Sequence, residues 1–401
     1  MDERKMSVSA QTEYLRMMQK RYREADRTTK SRLLDELQEV THLSRKHLIA
    51  LMNRSYIGRR KRSRERQRVY GHEVAQAIET IAEALDWICA ERLQPMLYSM
   101  ALHLASWGEL QMSQEVLEKL ERISVATLGR ILKELGPGRK FPRPYPGRRA
   151  ETSAQVAVPI SVIPWQQSVP GHFEVDLVHH GTADRQGNLV CTIQFIDVLT
   201  GWSERFAIMG YTFQSIWQAM QAFRARCPIP VRELHSDNGS EFINHALITA
   251  FGQELVGIAQ TRGRPGYHND NRFVEQKNSS LVRAYLGTLP LHTPAELRAL
   301  NALYEDMWLY YNLFQPVLRQ TERKAVTGPD GVVRIRRKQD RARTPFQRLC
   351  EARPPISRAK REYLQSLYER TNPMALKRHI HAQIEDLIAM VATEQEALTP
   401  V

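Results

Sequence analysis

Three acidic residues, Asp176, Asp237 and Glu275, have the side chains that metal-dependent chemistry at phosphorus needs. Asp176 lies in a run of alternating apolar and polar residues, Asp237 follows a short apolar run, and Glu275 lies early in a helical segment. Magnesium prefers hard oxygen ligands, and two such ions can activate the attacking oxygen and stabilise the leaving oxygen of a phosphodiester. The three carboxylates therefore predict phosphodiester chemistry supported by bound metal ions.

Each of these acids also has a simpler explanation. Asp237 precedes an Asn-Gly pair that is typical of turns, and Asp176 could be a surface residue, although acids are depleted in strands. Glu275 could complement a helix dipole, but it cannot complete a capping box because Arg272 stands three positions earlier. Three further acids are weaker candidates: Asp197, Glu174 and Glu241. Asp197 precedes a turn in which a structural hydrogen bond suffices, Glu174 shares the strand face of Asp176, and Glu241 lies in the first turn of a helix, where it complements the helix dipole.

The elements that carry these acids predict an α/β fold. From residue 171 onward the apolar residues recur with a period of two, which indicates strands. Predicted strands cover residues 172–178, 189–198, 203–209, 231–234 and 257–261. Predicted helices cover residues 212–226, 240–255 and a segment from about 270 to beyond 286. Three strands that can pair antiparallel, followed by alternating helices and strands, describe a mixed five-stranded sheet with flanking helices.

Four segments in this order resemble a known family: Phe173–Val178, Asp197–Trp202, Ser236–Ile243 and Asn269–Asn278. They resemble the integrase core of DDE transposases, in particular those of bacterial insertion sequences with a retroviral-integrase-like catalytic domain. The resemblance implies an RNase H-like core over residues 166–318, with Asp176, Asp237 and Glu275 at the three catalytic, metal-binding positions. It also implies Mg²⁺ or Mn²⁺ as the cofactor, with two ions per active site, and a homo-oligomeric synaptic complex that holds two DNA ends.

The chain departs from the family pattern after the catalytic glutamate. Many relatives carry a basic residue seven positions later, on the same helix face, but here that position is Val282. Lys277 and Arg283 are the nearest basic residues and are the candidates for contacts to the DNA end. His235 could orient a carboxylate or a water, and packing or solvation explains it equally well. Asn269 could contact a terminal base, but solvation of its loop is the better explanation for it alone.

The N-terminal third predicts two helical DNA-binding units, over residues 1–70 and 71–135. In the first, Ser44 is a candidate cap of a second helix that exposes Arg45 and Lys46 at its start, which is typical of a helix-turn-helix. A bundle that binds other proteins would give a similar pattern. Five further basic residues are candidates for phosphate contacts, three in a basic arm and two in the second unit: Arg60, Lys61, Arg62, Arg130 and Lys133.

The remaining segments are a proline-rich basic linker over residues 136–165 and a basic C-terminal domain over residues 319–401. The net charge of +13 is concentrated in residues 1–70 and 319–361, whereas residues 171–312 are mildly acidic. This distribution favours double-stranded DNA as the partner, with basic arms around a centre that binds cations. Four widely spaced cysteines indicate neither disulfides nor a zinc site.

The sequence as a whole predicts a DNA transposase that cleaves DNA at element ends and joins the 3′-hydroxyl ends to target DNA. No nucleotide cofactor and no membrane are expected, and the predicted location is the bacterial cytoplasm, in association with the nucleoid. Two alternatives remain open. One is an RNase H-like nuclease without strand transfer, and the other is a non-catalytic DNA-binding regulator derived from a transposase.

Overall fold

The computed structural model describes residues 7–58, 69–136, 168–236, 257–263, 272–287, 289–327 and 332–398. The chain divides into two compact units, Met1–Val69 and Tyr70–Val401. The predicted proline-rich linker, apart from its first residue, lies outside the described residues. Within the described part, no helix is long and apolar enough to cross a membrane.

The first unit contains three helices: α1 (Val8–Glu24), α2 (Arg27–Thr41) and α3 (Arg45–Met52). The side chain of Asp26 caps α2 by accepting a hydrogen bond from the backbone N–H of Thr29, at 2.8 Å. His42 ends α2 in the left-handed conformation, with φ of 57°, and Ser44 occupies the N-cap position of α3. The two helices expected in this region are thus α2 and α3, and α1 packs on them through the apolar residues Leu15, Met18, Leu33, Leu37 and Leu48.

The second unit begins with the helices α4 (His72–Ala84), α5 (Ala90–Leu93), α6 (Leu97–Ser106), α7 (Gln114–Arg122) and α8 (Val125–Leu135). Ser113 caps α7 and Ser124 caps α8, since each hydroxyl accepts a hydrogen bond from the backbone N–H three residues later. Buried apolar residues on these helices join the same hydrophobic core as the sheet. The helices and the sheet of this unit are therefore packed together.

A mixed five-stranded sheet forms the centre of the second unit. Its strands are β1 (His172–His179), β2 (Val190–Asp197), β3 (Ser203–Met209), β4 (Glu233–Ser236) and β5 (Ala259–Arg262). The spatial order is β3-β2-β1-β4-β5, with β1, β2 and β3 antiparallel and with β4 and β5 parallel to β1. The predicted fold class, an α/β RNase H-like core with a mixed five-stranded sheet and a helical N-terminal region, is confirmed.

Helices cover much of the sheet and bury most residues of β1, β2 and β3. They include α9 (Phe213–Arg226), α10 (Arg272–Lys277), the π-helical segment Asn278–Arg283, α11 (Ala284–Leu286) and α12 (Pro294–Leu309). Helices α9 and α12 contact β3, and α10 contacts β1 and β2. Six of the eight residues of β1 are consequently buried, including Glu174 and Asp176 on the face that the alternating pattern marks as polar.

The C-terminal part contains a hairpin and three helices. The elements are β6 (Gln320–Thr327), β7 (Val333–Gln339), α13 (Pro345–Glu351), α14 (Arg358–Glu369) and α15 (Pro373–Leu398). Strands β6 and β7 pair antiparallel as a hairpin, and β7 is exposed along its whole length. Helix α15 packs on α12, where His379 Nδ1 lies 2.9 Å from Asp306 Oδ2.

Candidate active site

Glu174 and Asp176 share one face of β1, and the structure buries both of them. Glu174 is fully buried and Asp176 is 3% exposed. The explanation of Asp176 as a surface residue is therefore wrong. Burying two carboxylates in a sheet costs free energy unless polar partners compensate. The groups that contact these two side chains consequently indicate what the carboxylates do.

Glu174 caps helix α10. Its Oε2 accepts hydrogen bonds from the backbone N–H groups of Phe273 and Val274, at 2.7 and 2.9 Å. The first turn of a helix leaves such amides unsatisfied, and a carboxylate there also complements the positive end of the helix. Burial raises the pKa of Glu174 to about 7, against the opposing effects of these hydrogen bonds and of the guanidinium groups of Arg272 and Arg319.

Asp176 is bonded to the same helix further along. Asn278 donates a hydrogen bond from Nδ2 to Asp176 Oδ2, at 2.6 Å, and both side chains are buried. Asn278 follows Glu275 by three residues, and residues three apart lie on the same side of a helix. The carboxylates of β1 therefore hold the helix on either side of Glu275, at residues 273–274 and at 278. This arrangement places the side of the helix that carries Glu275 alongside β1.

The π-helical segment changes which residue shares a face with Glu275. Within it, the backbone N–H of Ala284 donates to the carbonyl of Ser279, five residues earlier. A π turn holds about one residue more than an α turn, so a residue eight positions later takes the place that the seventh would have in a regular α-helix. That residue is Arg283, whereas Val282 is buried in the core. The expectation that Val282 shares the face of Glu275 is wrong.

Arg283 also lies close to the end of β1. Its charge is among the causes, after burial and the neighbouring His179, that lower the pKa of His180 to about 4. His180 is neutral at physiological pH as a result, and its Nε2 lies 2.7 Å from the hydroxyl of Thr192. The helix therefore runs along β1 from Glu174, past Asp176, to the region of His180.

His235 belongs to a hydrogen-bonded chain across β1, β4 and β5. Thr261 donates its hydroxyl proton to Glu233 Oε1 at 2.6 Å, and Glu233 Oε2 lies 2.6 Å from His172 Nδ1. Because that proton is used, the Thr261 oxygen accepts from His235 Nδ1, at 2.8 Å. Burial alone would raise the pKa of Glu233, but its hydrogen bonds to His172 and Thr261 outweigh burial and lower it. The network fixes the His235 ring at the end of β4, one residue before the last described residue of that strand.

Asp197, the acid considered as an alternative, has a structural role. It accepts hydrogen bonds from the backbone N–H of Gly171, at 2.7 Å, and from the backbone N–H and hydroxyl of Thr200, at 2.7 and 2.6 Å. Gly171 has φ of +114°, and a β-carbon there would approach the carbonyl oxygen of Pro230 to 2.4 Å. Asp197 thus fixes the turn after β2 and the entry into β1, as the sequence pattern indicated.

Lys277 faces away from the β1 carboxylates. It follows Glu275 by two residues, which corresponds to about 200° of rotation on an α-helix. Its side chain lines a cavity that Arg92 and Gln315 also line. Lys277 is therefore on the opposite side of the helix from the candidate active site.

The other predicted DNA-contacting residues lie at several places. Lys46, Arg130 and Lys133 are exposed at the surface of their helices. Arg45 forms an ion pair with Asp35 and so also braces α3 against α2. Five residues predicted to act at the site or on DNA lie outside the described residues: Arg60, Lys61, Arg62, Asp237 and Asn269.

The two described acids have the donor chemistry that a magnesium ion requires. Asp176 and Glu275 offer hard carboxylate oxygens from adjacent elements, and the neutral amide of Asn278 orients Asp176 without neutralising it. Asp237, the third predicted ligand, follows directly on β4, whose last residue pairs with Val175 in β1. Considering the described residues alone, no three acids, histidines or cysteines form a metal-binding group.

Comparisons with solved structures give low similarity scores. The chain resembles the intasome of simian T-cell lymphotropic virus in complex with PP2A regulatory subunit B56 gamma, with 16% identity, a TM-score of 0.33, and coverage of 63% of this chain and 76% of that chain. It also resembles the HTLV-2 integrase catalytic core domain in complex with magnesium, with 16% identity, a TM-score of 0.27, and coverage of 37% and 91%. The catalytic core domain of BIV integrase gives 18% identity, a TM-score of 0.27, and coverage of 44% and 91%. The fold assignment rests on the strand order and not on these alignments.

The comparison of sequences is more informative. No protein-family model matches the chain. Among curated proteins, it is 33% identical over 326 residues to the uncharacterized protein y4rM of Sinorhizobium fredii (strain NBRC 101917 / NGR234). That alignment covers 80% of this chain and 91% of the relative. The chain therefore belongs to the same protein family as y4rM.

Proposed function

We propose that this protein is a DDE-type transposase, a metal-dependent polynucleotidyl transferase that cuts DNA at the ends of a mobile element and joins them to target DNA. The observation that carries the proposal is the attachment of the Glu275 helix to β1. Glu174 holds the start of that helix and Asp176 holds Asn278, so that two acids from different elements are kept together. Burial of carboxylates costs free energy, which is not expected for a strand whose only role is at the surface.

The proposed reaction has two displacements at phosphorus. In the first, a water oxygen forms a bond to phosphorus and the bond to the 3′ oxygen of the element end breaks. Of the two water protons, one ends on that 3′ oxygen, which becomes a hydroxyl, and the other passes to solvent. In the second, the freed 3′-hydroxyl loses its proton to solvent and attacks a target phosphodiester, and the target's own 3′ oxygen leaves and takes up a proton from solvent. Each step exchanges one phosphorus–oxygen bond for another. No nucleotide cofactor is therefore needed.

The residues of the chain hold and orient the reacting groups in this proposal. Asp176, Asp237 and Glu275 would bind Mg²⁺ or Mn²⁺, which when bound would activate the attacking oxygen and stabilise the leaving one. Asn278 fixes the orientation of the Asp176 carboxylate. Arg283, on the face of Glu275, would hold a phosphate of the DNA end, because a guanidinium group matches two phosphate oxygens.

The basic surfaces outside the site favour DNA as the substrate. Strand β7 exposes four cationic residues: Arg334, Arg336, Arg337 and Lys338. Helix α3 exposes Lys46 near its start, and helix α8 exposes Arg130 and Lys133. Such surfaces bind the phosphate backbone without regard to sequence. We propose that they bind the element's terminal inverted repeats, and that two ends are held in a homo-oligomeric complex.

The proposal is tested with the full chain and the DNA that flanks its gene, where inverted repeats bounded by short direct repeats mark the element ends. Duplexes that end in the cut repeat, with a free 3′-hydroxyl, are incubated with a target plasmid and Mg²⁺. The wild-type protein should give joined product. Asp176→Asn, Asp237→Asn and Glu275→Gln should give none, yet should retain binding of the ends. Asp386→Asn, the same change at an exposed position on α15, is the matched control and should retain joining.

The same assay separates the proposal from its alternatives. Hydrolysis of the DNA with no joined product would identify a nuclease. Binding of the ends with neither cleavage nor joining by the wild-type protein would identify a regulator. Unchanged cleavage by Asp237→Asn would refute the assignment of the site.

A further inference from the structure

A large cavity lies on the far side of the Glu275 helix from β1. Its volume is about 1180 Å³, and it is bounded by α10, by the π-helical segment, by the α4–α5 connection and by residues before β6. Four cationic residues line it: Arg92, Lys133, Lys277 and Arg319. The candidate active site does not account for this cavity, because Glu275 and the β1 carboxylates are not among its lining residues.

Lys277 lines this cavity together with three other cationic residues. Throughout the described part of the chain, no hydrogen bond or ion pair involves its ammonium group. An ammonium group that faces a cavity beside other cations, with no partner of its own, favours the binding of an anion.

Arg92 adds a permanent positive charge to the cavity, because arginine stays charged in proteins. Arg92 donates from Nε to the carbonyl oxygen of Pro316, at 2.7 Å, and from Nη2 to the amide oxygen of Gln315, at 3.2 Å. Both acceptors are uncharged, so they satisfy hydrogen bonds and leave the positive charge uncompensated. Arg319 differs, since the carboxylates of Asp197 and Glu174 lie close enough to raise its pKa against the effect of burial.

The two acids that line the cavity do not balance these charges. Asp86 is already engaged, because the hydroxyl of Tyr285 donates to Oδ2 and the ring of His381 lies 3.7 Å from Oδ1. Glu91 is exposed, and no ion pair joins it to Arg92 or Lys277 in the described part of the chain. Positive charge from Arg92 and Lys277 therefore faces the cavity without a carboxylate partner among the described residues.

We infer that this cavity binds a phosphate group, held between Arg92 of the N-terminal helices and Lys277 of the Glu275 helix, with Lys133 at its edge. A guanidinium fork and an ammonium group together match the oxygen atoms of a phosphate. The phosphate could belong to the backbone of a DNA strand or to a free phosphate anion. Only the first source rests on the proposed function. In either case the bound group would join α5 to the back of the helix that carries Glu275.

The first experiment measures stability with inorganic pyrophosphate, which carries the same chemical groups as either source. The full-length protein is unfolded by heat with and without pyrophosphate, at constant ionic strength. Pyrophosphate should raise the midpoint of the wild-type protein, and this rise should be lost in Lys277→Gln and in Arg92→Gln. Arg298→Gln, the same change at an exposed position on α12 outside the cavity, should keep it. Without the anion, Lys277→Gln should be at least as stable as the wild type, because an uncompensated cation has been removed.

A second measurement distinguishes the two sources of phosphate. Lys277 is acetylated with an amine-reactive ester at pH 7, and its modification is followed by mass spectrometry with pyrophosphate or with a DNA duplex present. Protection by both, or by the duplex alone, supports a DNA phosphate in the cavity. Protection by pyrophosphate alone supports a free phosphate anion. These outcomes do not depend on strand joining, so the site can be confirmed even if the proposed reaction fails.

Two results would overturn the inference. One is a midpoint that does not respond to pyrophosphate in the wild-type protein. The other is a response that Lys277→Gln and Arg92→Gln both retain, since the anion would then bind elsewhere. Loss of the response in Arg298→Gln as well would show a general effect of surface charge and would also contradict the site.

Discussion

Substitutions of Glu174 distinguish a residue that positions the Glu275 helix from one that takes part in the chemistry. Glu174→Ala removes the acceptor of two backbone N–H groups and leaves both buried. Each buried, unsatisfied N–H costs about 1–3 kcal/mol, so the free energy of unfolding should fall by about 2–6 kcal/mol. Glu174→Gln keeps an oxygen in the same place and removes a carboxylate that burial disfavours, so its stability should lie within about 1 kcal/mol of the wild type.

The two variants should also differ in the joining assay. If Glu174 only positions the helix, Glu174→Gln should join pre-cut ends at nearly the wild-type rate. Glu174→Ala should be slower by about 100-fold at temperatures where it is folded, the loss expected when a catalytic group moves by about 1 Å. Urea unfolding followed by fluorescence supplies the stability values, and Glu79→Gln, on the exposed side of α4, is the control for loss of a surface carboxylate.

Two outcomes would refute this account of Glu174. If Glu174→Gln folds as stably as the wild type but gives no joined product, the negative charge itself is required. Glu174 would then belong with Asp176 as a ligand of the metal ion. If instead Glu174→Gln is as unstable as Glu174→Ala, the capping hydrogen bonds would not explain why the residue is buried.

Three further predictions follow from the site. Arg283→Gln should weaken binding of the DNA ends and reduce by about one the slope of log affinity against log salt, whereas Arg298→Gln should leave the slope unchanged; equal slopes for Arg283→Gln and wild type would contradict a phosphate contact. His180 binds a proton below about pH 6.5 in the unfolded state, but only below about pH 4 in the folded state. The free energy of unfolding should therefore be highest above pH 6.5 and should fall between these two values by up to about 1.4 kcal/mol per pH unit. Urea titrations at several pH values should show a smaller loss of stability below pH 6.5 for His180→Gln than for the wild type, and an unchanged loss for the exposed His72→Gln. An unchanged loss in both variants would contradict the assignment. Chelation by EDTA should abolish joining and leave binding of the ends intact in a gel-shift assay, and joining that survives EDTA would refute metal dependence.

The sequence predicts most of the sheet because its strands have strong local signals. Alternating apolar residues define β1, and β2 and β3 join through the Thr-Gly turn that Asp197 fixes. The observed limits of the five strands differ from the predicted ones by only one or two residues at most ends. Burial of the polar face of β1 was not predicted. It depends on α10, which comes about 100 residues later in the chain and covers that face.

Within the candidate site, residue types could be predicted but their partners could not. Local sequence patterns identify only helix caps that are close in sequence, and Arg272 cannot cap α10. The actual cap is Glu174, on another element. The π-helical segment likewise leaves no periodic signal in six residues, and the helical spacing counted from Glu275 therefore pointed to Val282 and not to Arg283.

The two sides of the Glu275 helix lie against groups of opposite charge. Carboxylates of β1 hold the side with Asn278, through hydrogen bonds to the helix amides and to a neutral side chain. The other side carries Lys277, which faces a cavity where Arg92 has no carboxylate partner in the described chain. Hydrogen bonds to β1 are present in the protein alone, whereas the cationic side lacks its counter-charge until an anion binds. An anion in the cavity would therefore add a contact from the N-terminal helices to the back of this helix, and binding of a phosphate there would stabilise the same position of Glu275 that β1 already favours.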